Sequence, residues 1–338
     1  MAFRGRFFSL PTLASLALAG AFILFLVTRF DIDLGATWDS LKASDPLLFV
    51  MALLIHYTTF IFRGARWRLM LKNAQEDPHM SAPSALHCSV LILLGWFTNS
   101  VTWFRLGDAY RAYAYAEDTD ASFSRTIGTI LAERVLDMVL VVLLLALATL
   151  FLVASGVGTP WLFVGLAALL MAGLVALLLA MRLFRSRLDR LLPGPLGATY
   201  HRFHEGTLGS FRRLPLLTLL GLLGWLAEAG RLFFVAEALG FSLGIPLVIF
   251  VILANAMLTL VPITPGGVGA VEWGVTSLLM LSAKIETETV AFSIVALDRS
   301  ISWLSIIVVG AVIFLMREIV RRRRRQASAT PDALPGDG

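Results

Sequence analysis

Cysteine is nearly absent: Cys88 stands alone in 338 residues. That excludes an intramolecular disulfide and any cysteine-built metal cluster. Charge is scarce too, with Asp, Glu, Lys and Arg at 15% of the chain against 58% hydrophobic residues. At a mean hydropathy of +0.81, no soluble core could hide the apolar surface, so the chain reads as an integral membrane protein. The five histidines are scattered. His201 and His204 form an H-x-x-H in a basic stretch without an acidic partner nearby, so no metal site is expected. His56, in the middle of an apolar run, reads as a packing residue rather than a proton carrier. Nucleophile–histidine pairs, metal clusters and nucleotide loops are also missing, so the protein is not expected to be an enzyme or to take a cofactor. The net charge of +5 comes mostly from loop arginines. It fits membrane topology and anionic lipid rather than nucleic acid.

What the chain does have is one unusual interruption, Pro262-Ile263-Thr264-Pro265-Gly266-Gly267-Val268-Gly269-Ala270-Val271-Glu272. It separates two apolar runs, residues 245–261 and 273–281, each barely long enough to enter a bilayer. Two prolines and three glycines in eight residues cannot continue a helix. Broken backbone at membrane depth survives only where protein buries it or where it lines a wet cavity. A carboxylate directly after it, Glu272, is expensive in lipid. The stretch predicts a discontinuous helical hairpin that builds a polar intramembrane site, against the plainer alternative of a tight turn between two spans.

Basic residues set the expected topology. Arg4 and Arg6 precede a first span at residues 10–28, which is too long for a signal-peptide core. An acidic loop at residues 29–45 fits the outside. A second span, residues 46–62, ends at Arg63, Arg66, Arg68 and Lys72. If residues 85–104 crossed fully, the strongly basic segment 182–213 would fall outside. Residues 85–125 therefore return to their starting side as a re-entrant hairpin, because Arg105, Asp108, Arg111 and Glu117 make a second pass costly. Spans at residues 127–153, 161–181 and 214–239 follow. The Pro-Gly hairpin occupies residues 245–281, and a last span, 290–316, returns to Arg317 and the consecutive arginines Arg321 to Arg325, expected to hold anionic lipid. Both termini are then cytoplasmic, in the cell's inner (cytoplasmic) membrane.

The layout is span, span, hairpin, span, twice over. It predicts an all-α polytopic membrane protein with an inverted repeat, each unit three transmembrane helices plus one re-entrant helical hairpin. Repeat one covers about residues 8–153 and repeat two about 161–320. Together they form a single transmembrane domain, residues 1–325, and residues 326–338 read as a disordered tail. Glu133-Arg134 and Asp298-Arg299 occupy matching places in the two units. Asn99 precedes Gly107-Asp108 much as Asn255 precedes Gly269 and Glu272, and Arg66 has a counterpart in Arg231.

R-x-x-R-W at 63–67, G-D-A-Y-R at 107–111, A-E-R-x-x-D at 132–137, the Pro-Gly element at 262–272 and D-R at 298–299 together resemble the lysylphosphatidylglycerol synthase transmembrane region, or flippase-like, family. The Pro-Gly element is the specific one. One departure is Thr102-Trp103-Phe104-Arg105-Leu106-Gly107, where many members look to have a proline, so the first hairpin is expected to bend differently. The family includes the half of the multiple peptide resistance factor that moves lysyl-phosphatidylglycerol across the bilayer. The resemblance implies movement of a polar lipid, or support of its synthesis beside a lipid-synthesis enzyme, and not lysyl transfer.

The residues expected to contact a lipid head group are Asn99, Arg105, Asp108, Arg111, Glu133, Arg134, Asp137, Asn255, Thr264, Pro265, Gly266, Gly267, Gly269, Glu272, Asp298 and Arg299. Arginine grips phosphate with two parallel hydrogen bonds. The glycines give positive φ, close approach and amide donors. The alternative is that these charges only lock the bundle by pairing. Glu228 and Arg231 are expected to pair on their own helix. Three functions compete: a polar-lipid flippase or transporter, with proton coupling through Glu133, Asp137, Glu272 or Asp298 as an option, an intramembrane transferase, and a non-catalytic partner in lipid or glycolipid synthesis.

Overall fold

The computed structural model describes residues 33–75, 83–102, 106–156, 161–183, 194–259, 265–282, 285 and 287–329. The expected first span lies outside them, as do Arg105 and Thr264. All regular structure among the described residues is helical.

Helix α1 (Leu34–Ala43) and helix α2 (Pro46–Asn73) meet at a sharp corner. Asp45 makes that corner: its carboxylate accepts from the amides of Leu47 and Leu48 at 2.8 and 3.2 Å, and Pro46 follows at the first helical position, where no amide is needed. Then come α3 (Ala85–Val101), α4 (Gly107–Thr119), α5 (Phe123–Ala154), α6 (Trp161–Leu183), α7 (Gly194–Gly209) and α8 (Leu214–Ala238). The chain continues with α9 (Ile245–Leu258), a 3₁₀ turn at Pro265–Gly267, α10 (Ala270–Ser282) and α11 (Glu288–Arg299). A π-helical stretch, Ser300–Ser305, joins α11 to α12 (Ile306–Ala329). Among the described residues α2, α5, α8 and the continuous run Glu288–Arg321 are long and apolar enough to cross a membrane, and α3, α9 and α10 are shorter apolar helices. The protein is a helical membrane protein.

Three expectations need correction. Span two does not stop before Arg63 and Arg66, because α2 runs on to Asn73 and buries both arginines. They are paired inside the bundle and say nothing about which face is cytoplasmic. Second, the basic segment 182–213 is not all loop. It contains α7, which packs against α5 with Gly206 and Gly128 at the contact, and Arg125 holds Glu205 at 2.6 Å. Third, helix α12 reaches Ala329, past the expected start of the tail.

Packing follows a pattern that repeats. The broken hairpins α3–α4 and α9–α10 each lean on the closing helix of their own half, α4 on α5 and α10 on α11. Each hairpin's first helix also packs on the other half, α3 on α12 and α9 on α5, while α2 and α8 pack together between them. Where lipid is as apolar as the core, helices are held by close contact and polar pairing, and small residues allow the approach. Gly107 shows this. A Cβ there would run into the Gly95 carbonyl and lie 2.7 Å from Asn99 Oδ1, the atom that accepts the Gly107 amide hydrogen bond at 2.8 Å. At the other end of α4, Arg317 of α12 forks onto Asp118 at 2.7 and 2.8 Å. Burial pushes the Asp118 carboxyl up, but hydrogen bonds from His87 and Arg317 outweigh this and hold it below the usual carboxylate range.

Gly107→Ala is expected to lower stability by about 1–3 kcal/mol through overpacking between α3 and α4. Gly165→Ala, with open space around the added carbon, serves as the neutral control. Thermal unfolding of the two variants in one detergent measures the difference.

Candidate functional site

The charges buried among the helices form two similar sets. In the first half, Arg66 of α2 is completely buried. Its Nη2 donates to Glu133 Oε1 at 3.2 Å, and its Nη1 lies 2.7 Å from Asp137 Oδ1. Glu133 and Asp137 are one turn apart on α5, so one guanidinium reaches both. The other oxygen of Glu133 accepts from Arg111 Nη2 at 2.7 Å, and the Arg111 guanidinium lies 4.4 Å from the Trp67 ring centre. Arg134 points to a different face of α5 and forks onto Asp108 of α4, with Nη2 at 2.8 Å and Nε at 3.1 Å.

The second half repeats the scheme. Arg231 of α8 donates to Asp298 of α11. Arg299 Nε donates to Glu272 Oε1 at 2.7 Å, as Arg134 does to Asp108. Arg299 Nη2 also donates to the Gly266 carbonyl at 2.9 Å. Gly266, Gly267 and Gly269 all have positive φ, at 64°, 71° and 91°, a turn that side chains resist. The turn delivers the Gly269 amide onto Glu272. That amide is therefore occupied by the protein's own carboxylate, not left free for an anion as expected. The expected Glu228–Arg231 pair is present, at 3.1 Å.

The halves are not identical. Three residues before Arg66 stands Arg63, whereas three before Arg231 stands Glu228. Arg63 reaches Asp137 at 3.4 Å and lies between the rings of Trp96 and Trp225, 5.5 and 5.1 Å from their centres. Glu228 faces His56 Nδ1 at 3.4 Å.

Between the hairpins lies a cavity of about 560 Å³. Among the expected residues, Asn99, Arg134, Asp137, Asn255, Gly266, Gly267 and Arg299 line it. Asp108 and Glu272 stand behind Arg134 and Arg299 as their partners. Arg111, Glu133 and Asp298 are buried and hold other charges in place, so they do not face the cavity. Pro265 opens the 3₁₀ turn. Arg105 and Thr264 lie outside the described residues.

Sequence reasoning missed Arg63, Trp96, Trp225, Glu228, Arg231 and Trp303 as cavity-lining residues. The available signal was charge inside an apolar helix: reading Arg63 as the end of a span discarded it. Another correction concerns His201, whose Nδ1 lies 3.3 Å from Glu205 Oε1, so an acidic partner is present. Even so, no cluster of three or more metal-type side chains occurs among the described residues.

Fold and site together define a polytopic helical membrane protein with paired charges among its helices, some of them in the wall of one cavity. Residues 12–310 match the family described as the lysylphosphatidylglycerol synthase TM region, and the chain belongs to that family. A UPF0104 membrane protein of Methanocaldococcus jannaschii is 31% identical over 224 residues, covering 66% of this chain and 94% of that protein. Another, from Pyrococcus horikoshii, is 23% identical over 330 residues, covering 88% and 95%. These relatives are archaeal, and the family description fits a role tied to membrane lipids.

Removing one partner of a buried pair strands the other charge. Glu133→Gln, which takes the close carboxylate from Arg111 and leaves Arg66 with Asp137 alone, is expected to cost about 3–5 kcal/mol. Asp108 is 38% exposed at its side chain, so Asp108→Asn should cost only about 1 kcal/mol. Denaturant titration in mixed micelles ranks the two.

Proposed function

We propose that the protein is a polar-lipid carrier that moves a phospholipid, aminoacyl-phospholipid or glycolipid head group between leaflets. The observation that carries this reading is the cavity of about 560 Å³ between the two broken hairpins, with Arg134 and Arg299 in its wall. Each guanidinium is held from behind by a hairpin carboxylate. A head group phosphate could take hydrogen bonds from these arginines, while apolar side chains such as Met138, Val141 and Ile252 in the same wall suit acyl chains. Discontinuous helices meeting at one site are the architecture of transporters.

An inverted repeat supports the reading further. The matched pairs Arg66–Glu133 with Arg231–Asp298, and Arg134–Asp108 with Arg299–Glu272, relate the halves. On this view both hairpins are re-entrant from opposite faces of a cell's cytoplasmic membrane, and both chain ends are cytoplasmic. Arg321 already pairs with Glu117, so anionic lipid would be held by the arginines that follow it.

A second reading is a non-catalytic partner of a lipid-synthesis enzyme. The pairing of every guanidinium in the network favours it, because a fully paired network can serve as a lock alone.

The test is reconstitution in liposomes with acyl-labelled lipids, following dithionite-accessible fluorescence. Exchange above protein-free liposomes is expected for at least one polar lipid. Glu272→Gln and Arg134→Ala should each cut it by at least about tenfold, roughly 1.4 kcal/mol, with membrane insertion unchanged. Exchange at the background rate for every polar lipid, from folded protein, would favour the partner reading.

A further inference from the structure

His56 is a buried titratable side chain outside the guanidinium–carboxylate pairs, and its surroundings are specific. It is completely buried. The rings of Tyr57, Phe60 and Trp96 enclose it, with centres 5.5, 5.7 and 6.3 Å away. Its Nδ1 lies 3.4 Å from Glu228 Oε1, and neither ring nitrogen has a hydrogen-bond partner among the described residues. Glu228 lines the cavity, so His56 sits directly behind the cavity wall and one carboxylate away from it.

The charges facing His56 come from a few elements. From α8 there are Glu228 and Arg231, the latter bound to Glu228 at 3.1 Å and to Asp298 of α11. On α2 itself Arg63 lies two turns further along, tied to Asp137 of α5. Helix α3 presents the Trp96 ring, and Ser305 of the π-helical stretch bonds the Tyr57 hydroxyl at 3.0 Å. The end of α7 meets the far end of α2, where Gly209 lies against Ala74 and Asn73 Nδ2 donates to the Ser210 carbonyl just beyond α7.

Charge balance among the described residues points to a role for His56. Among them the network holds six guanidiniums, of Arg63, Arg66, Arg111, Arg134, Arg231 and Arg299. It holds six carboxylates, of Asp108, Glu133, Asp137, Glu228, Glu272 and Asp298. With His56 neutral the sum is zero. A zwitterionic head group leaves that balance intact. An anionic head group adds one uncompensated negative charge in a medium where charge is costly. Histidine is the side chain whose ordinary charge change falls near neutral pH, and this one touches the network.

We propose that His56 takes up one proton with each anionic head group, making the protein a proton-coupled carrier for anionic lipids. This rests on the transport reading above. The proton comes from water in the cavity by way of Glu228, binds the imidazole lone pair, and places an N–H⁺ against Glu228. It returns to water when the head group leaves at the other face. No bond of the lipid is made or broken. Coupling is mutual: the bound anion favours the imidazolium, and the imidazolium favours the bound anion.

The experiment compares two acyl-labelled lipids, phosphatidylglycerol (anionic) and phosphatidylethanolamine (zwitterionic), in liposomes between about pH 8 and pH 6. With one proton per head group, wild-type phosphatidylglycerol exchange should rise toward about tenfold per pH unit on acidification, while phosphatidylethanolamine exchange stays flat. His56→Gln should flatten the first profile and leave the second as it was. Thermal unfolding monitors the fold of the variant, and the wild-type contrast between the two lipids stands without it. Parallel pH profiles for the two lipids, or an unchanged phosphatidylglycerol profile in His56→Gln, overturns the inference and leaves transport standing. No exchange of phosphatidylglycerol overturns the inference, and background exchange of every other polar lipid as well overturns the transport reading with it.

Discussion

A charge placed among apolar helices must find a partner, and this single constraint arranges the rest of the molecule. Removing an ion from water costs several kcal/mol even after relaxation. Here the cost is offset by bringing guanidiniums and carboxylates from different helices together. Arg66 ties α2 to α5, Arg231 ties α8 to α11, Arg134 ties α5 to the first hairpin and Arg299 ties α11 to the second. None of these bonds is local to one helix, so each fixes how two elements sit against one another.

The broken hairpins follow from the same requirement. A continuous helix satisfies its own backbone and leaves nothing at membrane depth to bind. Interrupting it with Gly266, Gly267 and Gly269 frees a carbonyl for Arg299 and an amide for Glu272. The first hairpin reaches the same end differently: Asn99 caps the Gly107 amide, and close Gly95–Gly107 contact brings Asp108 to Arg134. The π-helical stretch directly after Arg299 is a further irregularity in the cavity wall, of a kind often found at functional sites.

Much of this was legible in the sequence. The Pro-Gly element announced a break because no helix tolerates that composition, and short helices α9 and α10 flank it where the two apolar runs were too short to span. The Glu133-Arg134 and Asp298-Arg299 steps pointed to charged helix positions, and each of the four residues is paired with a charge on another helix. Reading charge as a marker of helix ends was what failed. Arg63 and Arg66 look like the close of a span only until their partners Glu133 and Asp137, some seventy positions away, are brought beside them. Sequence order does not show that contact. It also could not separate the arginines that face the cavity from Arg111, which is turned inward onto Glu133, nor tell that a tryptophan cage would surround Arg63.

Charge exchange across one pair is the most direct measurement. Arg299→Glu and Glu272→Arg, made singly, each place two like charges together and should collapse the yield of monodisperse protein from membranes. Made together they restore an opposite pair, and recovery of most of that yield is the expected result. A double variant no better than either single one would mean that pairing between α11 and the second hairpin is not what holds the site together.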